Sequence, residues 1–233
     1  DLVGARSASV GSLLSIGTAI QEVVRIARNM ILVRLLVPEA FGVMAIVYAM
    51  VQLFESITEV GIREVIIRDP NGEAPSFLDA AFLISTVRAI GLFCIAYFVS
   101  PLISNFYSIL DLKTLLRIAS ITLVFRGTVS PKLFVLARKF RFKRYTMVLY
   151  GGGLVGVLFT IVFASITKTA ESMAIGFAVE GFAVTVLSYI FCPHIFKFRY
   201  NSQHVRSILN FAKGFVGLPI LTFAYLRGDV FFV

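Results

Sequence analysis

Apolar runs close to the length needed to cross a bilayer follow one another along the whole chain. They fall at residues 8–36, 41–63, 78–100, 112–134, 146–167, 172–192 and 207–233. A helix needs about 20 such residues to span the hydrocarbon core. Inside lipid every backbone N–H and C=O must be satisfied within the segment. The pattern therefore implies an all-α, polytopic membrane helical bundle. Composition agrees: 58% of residues are hydrophobic and 15% charged, against about 25% charged in an ordinary soluble domain. So little polar surface cannot cover a globule in water.

The segments between the runs are short and punctuated by Pro and Gly. Val37-Pro38-Glu39-Ala40-Phe41-Gly42 reads as the turn between the first two spans, and Arg68 to Ser76 (RDPNGEAPS) as the loop after the second. Loop charge alternates. The loops after spans two, four and six hold Arg63, Arg68, Arg138, Lys139, Arg141, Lys143, Arg144, Lys197, Arg199 and Arg206, whereas the others hold little beyond Arg34, Lys113 and Lys168. By the positive-inside rule the basic loops and the N-terminus are cytoplasmic. The net charge of +9 is thus a matter of topology, and ARKFRFKRY (residues 137–145) is an anchor near anionic membrane lipids and not a nucleic-acid site. The chain starts at Asp1 with no leader pattern and ends at Val233 inside an apolar run. It reads as a fragment, with residues 1–233 forming a single transmembrane lobe.

Charged residues inside the spans carry the functional information. Each costs roughly 2.5–3.5 kcal/mol at a helix centre and as a rule faces a bundle interior or a water-filled path. On the first span Gly11, Ser15, Thr18, Glu22, Arg25 and Asn29 recur every three or four residues, with Arg28 at the margin. Tyr48, Gln52, Glu55, Glu59 and Arg63 form one stripe on the second. Glu22 with Arg25 and Glu59 with Arg63 are within pairing reach. Arg88, Arg117, Arg126, Glu180, Arg227 and Asp229 complete the set. Arg117 and Arg126 are nine residues apart and point nearly opposite ways, so both cannot face one cavity at full depth. Arg126, nearer the basic loop, is expected to snorkel towards it.

Nothing in the sequence indicates catalysis. GxSxG, Walker and HExxH patterns are absent, so neither enzyme activity nor a cofactor or metal is expected. His194 and His204 fall in a basic segment without ligand spacing and read as solvated. Cys94 and Cys192 read as inert packing residues. Gly152 and Gly156 form a GxxxG, which permits close helix packing.

The stretch ARNMILVRLLVPEAFGVMAIVYAMVQLFESITEVGIREVIIR (residues 27–68) resembles the polysaccharide exporters and O-antigen flippases of the multidrug/oligosaccharidyl-lipid/polysaccharide superfamily. The resemblance rests on Arg34-Leu35-Leu36 at the end of the first span, the Pro38–Gly42 turn and Gly61-Ile62-Arg63. The RKFRFKRY loop and LNFAKGFVGLPILTFAYLRGDVFFV (residues 209–233) extend it over most of the chain. It implies the N-terminal lobe, about six to seven helices, of a two-lobe flippase in the bacterial inner membrane. Its partners would be a lipid-linked oligosaccharide and the C-terminal lobe, absent from this sequence. The resemblance also implies alternating-access transport of undecaprenyl-pyrophosphate-linked sugars, with cavity arginines on the pyrophosphate. Arg25 and Arg28 fit that role by position, followed by Arg88 and Arg117. Glu22, Glu55, Glu59 and Glu180 are then counter-charges or an ion-coupling site. The rival readings are a multidrug/cation antiporter of the same superfamily, a membrane-embedded glycosyltransferase or polymerase of the same pathway, and a non-transporting subunit.

Overall fold

The computed structural model describes residues 22–57, 61–139, 141–197 and 202–215. Among these every regular element is a helix, and no strand occurs. The order is α1 (22–35), α2 (Pro38–Ile57), α3 (Ile62–Arg68), α4 (Pro75–Tyr107), α5 (Leu110–Gly127), α6 (Lys132–Arg138), α7 (Phe142–Thr167), α8 (Glu171–Phe191) and α9 (Ser202–Phe215).

Proline and left-handed residues set several boundaries. Pro38 and Pro75 are the first residues of α2 and α4, where a missing N–H leaves no intrahelical bond unmade. Glu39 in the first turn of α2 meets the positive end of its dipole. Gly61 precedes α3 at φ 56°, the left-handed region that favours glycine. This corrects the expectation of one unbroken span over 41–63: the left-handed Gly61 interrupts it, and a separate short helix starts at Ile62. Residues 58–60, with Glu59, lie outside the described residues.

The span expected at 112–134 is broken. α5 and α6 meet at 63° across residues 128–131, where Pro131 has no N–H to give. Hydroxyls of α8 serve the interrupted backbone. Thr185 Oγ1 donates to Phe125 O at 2.7 Å, Tyr189 Oη to Thr128 O at 3.0 Å, and Ser188 Oγ accepts from Ser130 N at 3.0 Å. Side chains of a neighbouring helix thus replace the bonds lost at the break, which is how a broken helix survives in lipid.

α2, α4, α7 and α8 are each long and apolar enough to cross a membrane, and the α5–α6 pair is a fifth candidate. Their outward faces carry large bare side chains such as Phe98, Phe106, Leu158 and Ile166, as expected where lipid is the solvent. The spans expected at 8–36 and 207–233 lie partly outside the described residues. Of the latter, α9 is amphipathic: Ile208 is buried against α3 and α4, while Arg206 and Ser207 are exposed.

Small residues bring the spans together. An added Cβ at Gly152 or Gly156 of α7 would collide with Val184 or Glu180 of α8, and one at Gly181 with Thr122 of α5. The GxxxG therefore packs helices within the chain. Leu32 of α1 and Leu36 in the turn after it join Met44, Val47 and Val51 of α2 and Leu112, Leu115 and Leu116 of α5 in the main core.

The up-and-down course gives the bundle two ends. Residues 36–37, 108–109 and 168–170 turn at one; α3, α6, α9 and the remaining loops gather at the other, with most of the loop cations. At this basic end Arg138 Nη1 donates to Ile66 O at 3.0 Å and to Asp69 O, while Lys139 Nζ lies 2.6 Å from Glu73. These contacts tie the 69–74 loop to α6. His194 is buried there, its Nε2 3.0 Å from the buried Asp79 carboxylate, and His204 Nε2 lies 3.2 Å from Ser76 Oγ. The expectation of two solvated histidines is thereby corrected: Phe82 and Phe77 pack edge-on against their rings.

Candidate functional site: a charged cavity within the bundle

Tyr48, Gln52 and Glu55 repeat at helical spacing along one face of α2. That face lines a cavity of about 300 Å³ with Arg25 and Arg28 of α1, Arg126 of α5, Thr160 of α7, and Phe177 and Glu180 of α8. Gly156 and Gly176 let the α7 and α8 backbones meet at its wall. An added Cβ on Gly156 would lie 3.1 Å from Glu180 Cα, and one on Gly176 would strike the Thr160 side chain. Thr160 Oγ1 is held by a 2.7 Å bond to Gly156 O. A second cavity of about 250 Å³ adjoins the first. It shares Arg25, Arg28 and Glu180 and adds Glu22, Tyr150 and Val157.

The charges form an ordered set. Arg126 Nη1 lies 3.1 Å from Glu55 Oε2 and 3.4 Å from Oε1, and its guanidinium stands 5.1 Å from the centre of the Phe177 ring. Tyr48 meets the same ring edge-on at 5.0 Å. Arg25 pairs with Glu22. Arg28 binds Asn29 Oδ1 through Nε and Nη2, and Glu180 lies within electrostatic reach of Arg126 and Arg28. Among the described residues that line these two cavities three arginines face three glutamates, so their charges balance. At 1.5 Å per residue, Arg25, Arg28 and Glu180 stand about 10–15 Å from the turn end and Arg126 and Glu55 about 25 Å from it.

A third cavity, of about 290 Å³, continues from Arg126 towards the basic end. Arg63, Glu64, Ser85, Arg88, Gly127 and Tyr145 line it, and Arg126 is common to it and the first. The Arg63 guanidinium lies 5.6 Å from the Tyr145 ring centre.

Of the residues expected at a site, the structure places Arg25, Arg28, Glu22, Glu55 and Glu180 around the two joined cavities and Arg88 in the third. Arg117 is elsewhere. Its Nε donates to Ser100 Oγ at 3.0 Å and its guanidinium stacks 4.0 Å over Tyr97, both on α4. Arg126 takes the place expected of Arg117, and the expectation that it snorkels to the basic loop is corrected by its bond to Glu55. Nine residues separate the two, a half-turn in angle, so turning α5 to bury Leu112, Leu116 and Leu123 puts one in the cavity and the other against α4. The spacing showed that only one could enter; nothing local showed which. Thr160 and Phe177 had no sequence signal at all. Glu59, Arg227 and Asp229 lie outside the described residues.

A family model described as polysaccharide biosynthesis protein matches residues 31–233. The chain belongs to this family. The resemblance read from the Pro38–Gly42 turn and its flanking helices agrees with it. Glu55, Arg88, Arg126 and Glu180 fall within the matched stretch, while Glu22, Arg25 and Arg28 precede it. No protein of curated function and no solved structure matches the chain.

What the arrangement can do follows from its chemistry. Guanidinium groups offer planar paired donors suited to phosphate oxygens. Each arginine is already held by an acid or an amide, so an arriving anion would exchange partners with it and release a carboxylate.

Proposed function

We propose that the protein serves polysaccharide biosynthesis as a transporter, moving an undecaprenyl-pyrophosphate-linked oligosaccharide from the cytoplasmic to the outer leaflet of the bacterial inner membrane by alternating access. The single observation that carries the reading is a polar, arginine-bearing cavity enclosed by helices whose outer faces are apolar. Such a cavity shelters a charged headgroup while the lipid tail stays in the bilayer. Arg25, Arg28 and Arg126 engage the pyrophosphate in place of their glutamate and asparagine partners. In low dielectric these contacts strengthen. Glu22, Glu55 and Glu180, losing their cations, become the groups that take up a proton or cation, which couples transport to an ion gradient. The basic end faces the cytoplasm, following loop charge, and the process has no covalent step.

The test is replacement of Arg25 or Arg28 by Ala in cells that depend on this protein for surface polysaccharide. Export is expected to stop with the protein's membrane abundance unchanged. Normal surface polysaccharide in both variants would sink the reading. The three-to-three charge balance favours one alternative, a cation or drug antiporter in which Glu55 and Glu180 hold the cation. That reading requires cells carrying the protein to gain drug resistance and to lose it with Glu180→Gln, while Arg28→Ala leaves the resistance in place.

A further inference from the structure

The arginines of the inner cavities are engaged, Arg25 with Glu22, Arg28 with Asn29 and Arg126 with Glu55. Two neutral groups beside them are not. Tyr48 and Gln52 line the first cavity, one turn apart on the same face of α2. Neither the Tyr48 hydroxyl nor the Gln52 side-chain amide has a hydrogen-bond partner among the described residues, and Gln52 gives only its backbone carbonyl, to Ser56 Oγ at 2.8 Å. The Tyr48 ring is fixed in place. It meets Phe177 edge-on at 5.0 Å, and Phe177 O is in turn held by Thr122 Oγ1 at 3.0 Å. Arg28 and Glu180 stand within electrostatic reach of the phenol. A hydroxyl both donates and accepts, and a primary amide offers two donors and an acceptor oxygen. An aliphatic chain would leave these groups unpaired, at a cost, and an anion is better served by the guanidiniums. A ligand with neighbouring hydroxyls and an apolar C–H face, a pyranose, matches both the polar groups and the aromatic rings. The cavity of about 300 Å³ is at the lower end of ligand pockets, roughly 300–1,000 Å³, which suits one ring and not a chain of them.

We propose that Tyr48 and Gln52 form a subsite for a single pyranose, the sugar joined directly to the diphosphate. The inference rests on the transport reading above and deepens it: the arginines take the diphosphate, and this pair takes the sugar. The Gln52 amide donates to one ring hydroxyl and accepts from its neighbour, and the Tyr48 hydroxyl binds a third. Which sugar is read follows from position. Tyr48 stands by Arg28, so a ring on Tyr48 is the one next to the phosphate, and the rest of the oligosaccharide lies outside the subsite. Sugars differing in the orientation of a hydroxyl that meets Gln52 are told apart, because the wrong one leaves a polar group unpaired.

The experiment measures binding of four lipids to the protein in nanodiscs of zwitterionic lipid: bare undecaprenyl diphosphate, and the same lipid carrying one glucose, one galactose or one N-acetylglucosamine. The readout is the ratio of each glycosylated lipid's affinity to that of the bare lipid. In wild type the ratio should reach about tenfold for at least one sugar, as expected for two or three neutral hydrogen bonds. Tyr48→Phe keeps the ring against Phe177 and removes only the hydroxyl, and Gln52→Leu keeps the bulk and removes the amide. Each should cut that ratio about threefold or more. They act on separate groups, so either one carries the test where the other fails to fold. Arg28→Gln should weaken bare and glycosylated lipids together and keep the ratio. A ratio near one for all three sugars in wild type, or an unchanged ratio in both Tyr48→Phe and Gln52→Leu, overturns the subsite while leaving the transport reading intact. Equal weakening of bare and glycosylated lipids by these two variants overturns it as well, since the pair would then contact the diphosphate. Absence of binding of every lipid to wild type overturns the transport reading and the subsite with it.

Discussion

Replacing Gly156 by Ala should destabilise the bundle, although alanine is the better helix former. The intrinsic gain is about 0.8–1.0 kcal/mol. Against it stands the α8 backbone: the new Cβ would lie 2.6 Å from Glu180 Cβ and 3.1 Å from its Cα. Carbon atoms settle at about 3.5–4.0 Å, so α7 and α8 must part by about 1 Å at their crossing. A Cα cannot swing aside as a side-chain tip can. Overpacking of this kind costs about 1–3 kcal/mol, and the neighbouring contacts of Gly152 with Val184 and of Gly176 with Thr160 resist relaxation. The net expectation is a loss of up to about 2 kcal/mol, or a fall in Tm of up to about 4–8 °C at this chain length. Gly91 supplies the internal comparison. It lies mid-helix in α4 with no atom within 4 Å of an added Cβ, so Gly91→Ala keeps only the propensity gain and should raise Tm by up to about 3 °C. Loss of helical circular dichroism on heating, in one detergent for all forms, reads both. A rise in Tm for Gly156→Ala matching that of Gly91→Ala would refute the close-contact reasoning.

Two further outcomes follow from named contacts. The gross attraction of Arg126 for Glu55 at 3.1 Å is about 5 kcal/mol at an effective dielectric of 20. Both side chains are partly exposed, 39% and 25%, so screening should leave a coupling of about 1 kcal/mol in a double-mutant cycle of Arg126→Gln and Glu55→Gln; zero coupling in unfolding would mean that the pair contributes nothing to the fold. Burial, opposed by the Asp79 carboxylate and assisted by Lys132, lowers the His194 imidazole below its ordinary value. The folded protein then binds that proton less readily than the unfolded chain. The associated stability is complete above the unfolded value of about 6.5 and is lost as pH falls through the lower folded value. Amide exchange across residues 193–197, corrected for intrinsic rates, should therefore rise between pH 7 and 5 in wild type and stay level in His194→Phe; equal rises would refute the assignment.

Much of the fold could be read from one property, apolar run length. The spans at 78–100, 146–167 and 172–192 appear as α4, α7 and α8, with α4 longer at both ends. The polar stripe of α2 was legible too, and Tyr48, Gln52 and Glu55 do line the cavity. The break in the fourth span was not. Pro131 marked a place where a helix can yield, but whether it yields depends on Thr185, Ser188 and Tyr189, some sixty residues away, being at hand to accept or donate.

The sequence by itself determined the solvent, because a chain with so few charges and such long apolar runs has no stable form in water. It also determined which residues share a face, since spacing along a helix is angle. Only the tertiary structure decided where each face points. Rotation about a helix axis is set by the neighbours that cover it, so α5 turns Arg126 to Glu55 and Arg117 to Tyr97. Likewise His194 is buried by its meeting with Asp79 of α4, far off in sequence. Pairings of this kind depend on packing between distant segments, which no local spacing records.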